Sequence, residues 1–352
     1  MITRSAPGVQ TDSLMITKTA SQDSTMDWKK ILADSVSSPA ELLQLLGLPA
    51  SLLPGALMAD KSFATRVPRT YISRMEYGNP DDPLLRQVLP IREESVISPG
   101  FSFDPLAEQT QNPCDGVIHK YQGRLLLVSS NVCAVNCRFC FRRHFPYEEN
   151  RLTGDNWAKA LDYIRSETSI REVILSGGDP LANNDVRLAR LVAGLSEIPH
   201  LETLRIHTRL PVVIPQRVNS ELLNWFCNSR LKPVMVIHCN HANEIDDTVT
   251  EAFSRLREAG VTLLNQAVLL KGVNDSVDAL TKLSHRLFHA DVMPYYLHLL
   301  DRVQGAAHFD VSEREALKLM AGVMKQCPGY MVPKLVREEA GKECKSPVII
   351  PE

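Results

Sequence analysis

The sequence predicts an α/β protein whose core is a partial, open (β/α)6 barrel. From about residue 118 onward, short β-rich runs alternate with amphipathic helical patterns. Six β units, each followed by a helical stretch, indicate a parallel sheet with right-handed crossovers. They are too few for a complete eight-fold barrel, and a doubly wound sheet is the alternative. The predicted strands are 125–129, 172–175, 203–207, 233–238, 262–269 and 293–299, and the predicted helices are 156–165, 185–196, 220–228, 246–259, 275–289 and 312–324.

The chain divides into four predicted regions. Residues 1–25 are rich in Ser, Thr, Gln and Asp without periodicity, and we expect them to be disordered. Residues 26–115 combine helical spacings with a Pro- and Asp-rich stretch, which indicates a mainly helical N-terminal region. The partial barrel is expected over 116–330, and 331–352 form a short C-terminal segment.

The overall composition excludes several classes of protein. The 352 residues carry a net charge of −2, so we expect neither nucleic-acid binding nor attraction to an anionic membrane. No apolar run reaches the length of a bilayer span, and the start of the chain lacks the pattern of a secretory leader. We therefore expect a cytoplasmic protein whose eight cysteines are thiols.

Polar residues lie at or just after the carboxyl ends of the predicted strands. In parallel α/β barrels the active site is built at these ends, which share one rim. The pattern therefore locates a site without reference to any family. The clusters are the cysteine loop after the first strand, 176–180, 207–209, 238–241, 265–266 and Asp301.

Cys133, Cys137 and Cys140 form a Cys-x3-Cys-x2-Cys motif. A structural zinc site uses four protein ligands, usually as two cysteine pairs, and the sequence has no second pair. Electron-transfer 4Fe–4S clusters also use four thiolates. In a 4Fe–4S cluster, three thiolates leave one iron without a protein ligand. An enzyme needs such an open iron in order to bind a substrate-like molecule directly to the metal. The motif predicts a catalytic iron–sulfur cluster, with buried or zinc-binding cysteines as the alternative.

The cysteine spacing, with Phe139 before the last cysteine, resembles the signature of the radical S-adenosylmethionine (SAM) superfamily. The sequence Gly177-Gly178-Asp179 resembles that superfamily's glycine-rich element, which approaches the methionyl part of SAM, although a tight turn explains it almost as well. A closer resemblance, in register from about residue 60 to 348, is to the lysine 2,3-aminomutase family. The segments that carry it are 137–143, 176–181, 211–217, 240–245, 263–270, 294–297 and 305–309.

The resemblance implies a 4Fe–4S cluster on the three cysteines, SAM on the open iron and pyridoxal 5′-phosphate (PLP) as a further cofactor. SAM would supply the radical, and PLP would delocalise the unpaired electron beside the migrating nitrogen. The family attaches PLP as a Schiff base to a lysine that precedes Thr/Ser-Pro near the C-terminus. Lys345, before Ser346-Pro347, fits that position, and Lys342 and Lys334 are nearby competitors.

Further roles follow from the resemblance position by position. Arg142 matches an arginine that grips the substrate carboxylate in bidentate fashion. Asp301 matches a carboxylate that pairs with the ε-ammonium group of lysine, and Glu338 stands where the free-lysine enzymes have a second such carboxylate, an aspartate. Lys120 and Tyr121 match a pair that binds the PLP phosphate, with Lys in place of the family's Arg.

His238 and Gln266 match positions that contact SAM, although each also fits a hydrogen-bonded core residue. The free-lysine enzymes carry a C-terminal cysteine cluster for zinc, which this sequence lacks, so we expect no zinc. The quaternary structure is left open, with a homo-oligomer as one possibility.

The resemblance implies conversion of L-α-lysine to β-lysine, with an electron donor for the cluster. Segments 78–87, 140–147 and 332–335 resemble the bacterial branch that supplies (R)-β-lysine for the modification of elongation factor P by its lysyl ligase. One alternative is a radical SAM aminomutase for another amino acid such as glutamate, which Asp301 and Glu338 disfavour. A second is a non-catalytic iron–sulfur or zinc protein of the translation machinery, which has no need of Lys345.

Overall fold

The strands of the computed structural model form one sheet with its strands in sequential order. The structure describes residues 27–108, 112–147, 152 and 154–349. The segment 1–25, for which we predict disorder, lies outside the described residues. The strands are β1 (Val117–Tyr121), β2 (Arg124–Ser130), β3 (Glu172–Gly177), β4 (Thr203–Thr208), β5 (Lys232–His238), β6 (Thr262–Val268), β7 (Met293–His298), β8 (Lys334–Arg337) and β9 (Ser346–Pro347).

The six predicted strands are confirmed as β2 to β7, which pair in parallel. A seventh parallel strand, β8, extends the sheet, and β1 and β9 flank it as antiparallel strands. These three strands were not among the predicted elements. Among the described residues, β1 pairs with β2 and β9 with β8, and the sequential order rules out a doubly wound sheet. The predicted partial, open barrel is confirmed.

Twelve α-helices lie in the described residues. The helices are α1 (Trp28–Ala33), α2 (Pro39–Leu45), α3 (Leu53–Asp60), α4 (Arg69–Ile72), α5 (Pro83–Arg86), α6 (Gly154–Ser166), α7 (Asp185–Ser196), α8 (Leu210–Val213), α9 (Ser220–Cys227), α10 (Asp247–Glu258), α11 (Val277–His289) and α12 (Glu313–Gln326). All six predicted helices are present, as α6, α7 and α9 to α12. In the part of the chain that is described, no helix is both long and apolar enough to cross a membrane.

The helices that follow β3 to β7 begin at polar capping residues. The side chains of Asn184, Asn219, Asp246, Ser276 and Ser312 each accept a hydrogen bond from a backbone N–H in the first turn of α7, α9, α10, α11 and α12. Such a cap satisfies a donor that has no partner inside the helix. These caps fix where α7 and α9 to α12 begin, whereas α8, directly after β4, has no side-chain cap.

Side chains alternate between the helix layer and the barrel interior along β4. Leu204 and Ile206 are fully buried in the apolar core, whereas Arg205 and His207 face a cavity inside the barrel. The two-residue period of a strand produces this division. The apolar core thus lies between sheet and helices, and the barrel interior is left for polar groups.

Candidate active site

The cavity at the carboxyl ends of the parallel strands has a volume of about 240 Å³. Its walls come from the barrel strands, the cysteine loop, the N-terminal region and the C-terminal segment. The structure brings every predicted site residue to this one cavity. They are Lys120, Tyr121, Cys133, Cys137, Cys140, Arg142, Gly177, Gly178, Asp179, His238, Gln266, Asp301, Glu338 and Lys345.

The cysteine loop follows β2 and turns tightly, since the N–H of Cys140 donates to the carbonyl of Cys137 at 3.0 Å. Burial, together with negative charge on the neighbouring Cys137 sulfur, raises the pKa of the Cys140 thiol to about 11. Burial also raises the pKa of Cys133 well above its ordinary value. A bound metal removes thiol protons by replacing them with a stronger positive charge. Cys133 and Cys140 are therefore protonated thiols unless metal is bound.

In the described part of the chain, no three His, Cys, Asp or Glu side chains are disposed to hold a single metal ion. A cluster ligates each cysteine to a different iron, so its ligands need not converge on one point. Three thiols around one cavity, with no fourth cysteine on its wall, fit a cluster with an open iron.

The cysteine loop is tied to the N-terminal region by buried charges. Both carboxylate oxygens of Glu94 accept from Arg138, at 2.8 and 2.7 Å, and Arg143 donates to Oε2 at 2.8 Å. Glu94 and Arg138 have no exposed side-chain surface. Because a buried charge without a partner is costly, these pairs hold the loop in one position.

The Gly-Gly-Asp turn after β3 packs directly against the backbone of the cysteine loop. A Cβ atom on Gly177, whose φ is +113°, would lie 2.5 Å from the carbonyl oxygen of Ser130. A Cβ on Gly178 would lie 2.7 Å from the carbonyl oxygen of Val132. These contacts allow only glycine at both positions. They leave the backbone of the turn on the cavity wall.

The side chain of Asp179 anchors this turn to the end of β4. Its carboxylate accepts from the Thr208 hydroxyl at 2.7 Å and from the backbone N–H groups of Leu181, Arg209 and Leu210 at 2.8 to 3.1 Å. With these four donors the carboxylate is well satisfied within the protein. Asp179 therefore contributes to the cavity mainly by shaping the turn.

Glu338 also lies on the cavity wall, where three of the predicted residues surround its carboxylate. Lys345 Nζ donates to Glu338 Oε2 at 2.5 Å, Tyr121 Oη donates to Oε1 at 3.0 Å, and Lys120 Nζ lies 3.7 Å from Oε1. Burial opposes the charge on Glu338, but Lys345, Lys120 and Tyr121 together more than offset it and lower the pKa of Glu338 to about 2.

The competing lysines lie elsewhere. Lys342 and Lys334 are exposed and are absent from the cavity wall, whereas Lys345 is half-buried on it. Of these three lysines, only Lys345 therefore lies where it can reach a molecule in the cavity.

Arg142 is paired with Glu108, a residue that the sequence analysis missed. Nε and Nη2 of Arg142 donate to the two carboxylate oxygens of Glu108 at 2.7 and 2.8 Å, and Nη1 donates to Ser176 Oγ at 3.1 Å. Burial opposes the charge on Arg142, but Glu108 more than offsets it and raises the pKa of Arg142. Glu108 lies in the aperiodic stretch before β1, where no local pattern marks it. The one signal that could have pointed to Glu108 is that a buried arginine such as Arg142 needs a counter-ion.

Neutral imidazoles line the interior of the barrel. Burial lowers the pKa of His238 and His298 to about 3, and the pKa of His207 is lowered for the same reason. Nε2 of His238 and Nε2 of Gln266 lie 2.8 Å apart. Within the described residues, Nε2 of both His207 and His298 is buried without a hydrogen-bond partner. Such atoms in a cavity fit a polar ligand, and the sequence analysis did not single out His298.

Asp301 faces the cavity just beyond β7. Its side chain is partly accessible, but protein encloses it, and this loss of hydration is the main reason that its pKa rises to about 7. Repulsion by Glu338 adds to the rise, and Lys345 opposes it. The residue therefore changes charge near neutral pH and gains from a cation placed beside it.

A partial parallel barrel with a three-cysteine loop and a glycine turn at its mouth defines a radical SAM enzyme. Consistent with this class, the family model described as the Radical SAM superfamily matches residues 127–223. The chain is 53% identical over 332 residues to L-lysine 2,3-aminomutase of Escherichia coli (strain K12), covering 94% of this chain and 96% of that protein. It is 50% identical to L-lysine 2,3-aminomutase of Haemophilus influenzae, covering 91% and 95%.

Among solved structures, a radical SAM methyltransferase from Sphaerobacter thermophilus aligns with a TM-score of 0.46 and 18% identity, covering 63% of this chain and 68% of that one. The two aminomutase relatives settle the family. The chain belongs to the lysine 2,3-aminomutase family of radical SAM enzymes, which are isomerases. Membership implies a 4Fe–4S cluster, SAM and PLP as cofactors.

Proposed function

We propose that this chain is a PLP-dependent aminomutase that moves the α-amino group of L-lysine to the β-carbon and yields (R)-β-lysine. The single observation that carries this proposal is the charge layout of the cavity. Cationic Arg142 lines it together with the acidic pair Asp301 and Glu338, and Lys345 lies beside Glu338. This set of charges fits a substrate with a carboxylate and a terminal ammonium group.

The cofactors would be held by different walls of the cavity. Cys133, Cys137 and Cys140 would hold the cluster, and the backbone at Gly177 and Gly178 would hold SAM together with His238 and Gln266. Lys345 would attach PLP, and Lys120 and Tyr121 would bind its phosphate. When bound, the cluster and SAM supply a carbon-centred radical, and PLP supplies delocalisation of the unpaired electron.

The residues of the chain bind, orient and enclose the substrate. Arg142 would grip the carboxylate by exchanging its two hydrogen bonds to Glu108 for a bidentate pair with the substrate, since its guanidinium group matches a carboxylate in geometry and charge. Asp301 would take the ε-ammonium group, whose positive charge lowers the pKa of this carboxyl and favours its ionised form. Held at two ends, the substrate presents a fixed carbon to the radical. The N-terminal region contacts the cysteine loop through the Glu94–Arg138 pair, and this contact would help to exclude water from the cavity.

Glutamate is disfavoured as a substrate. Its side-chain carboxylate would face Asp301 and Glu338, and like charges in an enclosed site repel strongly. Glutamate therefore serves as the matched negative control in the assay.

The test is anaerobic reconstitution with iron and sulfide, followed by lysine, PLP, SAM and dithionite. We expect β-lysine by mass spectrometry, with the (R) form identified after chiral derivatisation, and no β-glutamate from glutamate. Omission of PLP should abolish the product. Cluster-loaded protein that gives no β-lysine would contradict the proposal.

We further propose that the product serves the modification of elongation factor P, on the strength of segments 78–87, 140–147 and 332–335, which resemble that branch of the family. The product would be ligated to elongation factor P by its lysyl ligase, and a cellular electron donor would replace dithionite. The chain could act on free lysine before ligation or on α-lysine already attached to elongation factor P. Separate incubations with free lysine and with elongation factor P that carries α-lysine distinguish these two sequences. We expect turnover of free lysine. Turnover of the protein-attached form alone would contradict this.

A further inference from the structure

Arg209, which follows β4, contacts a sulfur of the cysteine loop. Its Nη1 atom donates to Cys137 Sγ at 2.8 Å. Arg209 is 6% exposed, so this contact is made in an enclosed environment where a charged donor acts strongly. The family resemblance assigned no role to this residue.

The guanidinium group is held from the other side by three acceptors. Nη2 donates to the Tyr71 hydroxyl at 2.9 Å, to Gln87 Oε1 at 2.6 Å and to Glu244 Oε2 at 2.8 Å. Tyr71 and Gln87 belong to the N-terminal region, and both are fully buried. Since these partners come from three separate segments, Arg209 is oriented towards Cys137 by the tertiary fold.

Glu244 is itself fixed by further donors. Its Oε1 accepts from the backbone N–H groups of Asn240 and His241, at 2.9 and 3.0 Å, and from Gln87 Nε2 at 3.1 Å. Burial opposes its charge, but Arg209 and these donors lower the pKa of Glu244. The Arg209–Glu244 pair is therefore a fixed dipole whose positive end faces the sulfur.

We propose that Arg209 is a positioning residue that tunes the iron–sulfur cluster by donating an N–H to the sulfur of Cys137 and thereby makes the cluster easier to reduce. The inference deepens the proposed function and rests on its assignment of Cys137 as a cluster ligand. Hydrogen bonds to cluster sulfurs and nearby positive charge favour the reduced state, which carries one more negative charge. One electron passes from an external reductant to the cluster, and no bond of Arg209 is made or broken.

The test is the midpoint potential of the reconstituted cluster without SAM, followed by electron paramagnetic resonance during redox titration. For Arg209→Gln we expect at least a tenfold loss in the reduction equilibrium, which is about 59 mV more negative for one electron. Arg209→Lys keeps the charge but loses the fork, so we expect a smaller shift. Potentials equal to that of the wild type in both variants would overturn the inference.

Loss of Arg209 alone leaves Glu244 as a buried charge without its partner, which threatens folding. The double variant Arg209→Gln/Glu244→Gln removes both charges, and we expect its potential to fall as well. Glu244→Gln retains Arg209, and we expect no fall. Iron content and thermal unfolding are measured for each protein, so that a shift in potential is compared only between proteins with intact clusters.

Equilibrium dialysis measures the SAM affinity of each variant and tests whether Arg209 binds SAM instead of tuning the cluster. Weaker SAM binding with an unchanged potential would overturn the inference, because it would assign Arg209 to SAM. A wild-type chain that takes up no iron would overturn the proposed function and this inference together. A wild-type cluster that forms β-lysine, with no effect of Arg209 on potential, would overturn this inference only.

Discussion

Lys345 Nζ and Glu338 Oε2 lie 2.5 Å apart on the cavity wall. The two residues meet because β8 and β9 pair antiparallel with Arg337 opposite Ser346. The lysine that attaches PLP does so by attack of its Nζ atom on a carbonyl. The contact with Glu338 holds Lys345 on the cavity wall, and attachment of PLP to this lysine, as proposed, would leave Glu338 available for the ammonium group of the substrate.

The first prediction concerns PLP attachment. Replacing Lys345 with Ala should abolish the covalent PLP that borohydride reduction traps. Lys120, the other lysine on the described part of the cavity wall, lies 3.7 Å from Glu338 Oε1 and would bind the PLP phosphate instead. The measurement is absorbance and intact mass after reduction. Lys342→Ala, at an exposed position in the same segment, should label as the wild type does. Retained labelling in Lys345→Ala would show that another lysine attaches PLP.

The second prediction concerns the cysteine loop. Glu94→Ala should lower the free energy of unfolding by about 3–5 kcal/mol, because it leaves two buried arginines without their counter-ion. Urea unfolding of the metal-free chain measures the loss. Glu202→Ala breaks the exposed pair with Arg171 and should cost no more than about 1 kcal/mol. Equal losses of unfolding free energy in the two variants would mean that the buried pairs stabilise the fold no more than an exposed pair does.

The third prediction concerns the glycine turn. In Gly178→Ala the new Cβ would meet three backbone atoms of Val132 at 2.7 to 2.9 Å, and backbone cannot move aside cheaply. We expect a loss of about 1–3 kcal/mol in unfolding free energy and at least tenfold weaker SAM binding by equilibrium dialysis. A Cβ on Gly329 meets nothing within 4 Å, so Gly329→Ala is the tolerated control. Unchanged SAM affinity in Gly178→Ala would remove this turn from the SAM site.

The fourth prediction concerns pH. Since the pKa of Asp301 rises from 3.8 to about 7 on folding, the folded chain binds more protons than the unfolded chain between these values. The contribution of Asp301 to stability is therefore lost as pH rises from about 4 to 7. Glu338, with a lowered pKa of about 2, titrates below this window.

Urea unfolding of the metal-free chain at pH 5 and pH 7.5 tests this linkage. Over that interval, Asp301→Asn should lose less stability than the wild type, because the amide does not ionise. Parallel losses in the two proteins would show that Asp301 has an ordinary pKa.

Local sequence patterns determined the secondary structure and the place of the site. The two-residue and 3.6-residue periods predicted β2 to β7 and the helices between them, because each period reflects which face of an element is buried. The position of polar clusters at strand ends predicted the rim where the cavity lies. The spacing of Cys133, Cys137 and Cys140 predicted the metal chemistry, since those ligands lie within one loop.

Only the tertiary structure decided which charges meet. Glu108 and Arg142 are 34 residues apart, and Arg209 and Cys137 are 72 apart, so no local period relates them. The short strands β8 and β9 carry too few residues to show alternation, yet their register places Lys345 beside Glu338. Such contacts depend on how distant segments pack, and burial then turns each of them into a strong interaction.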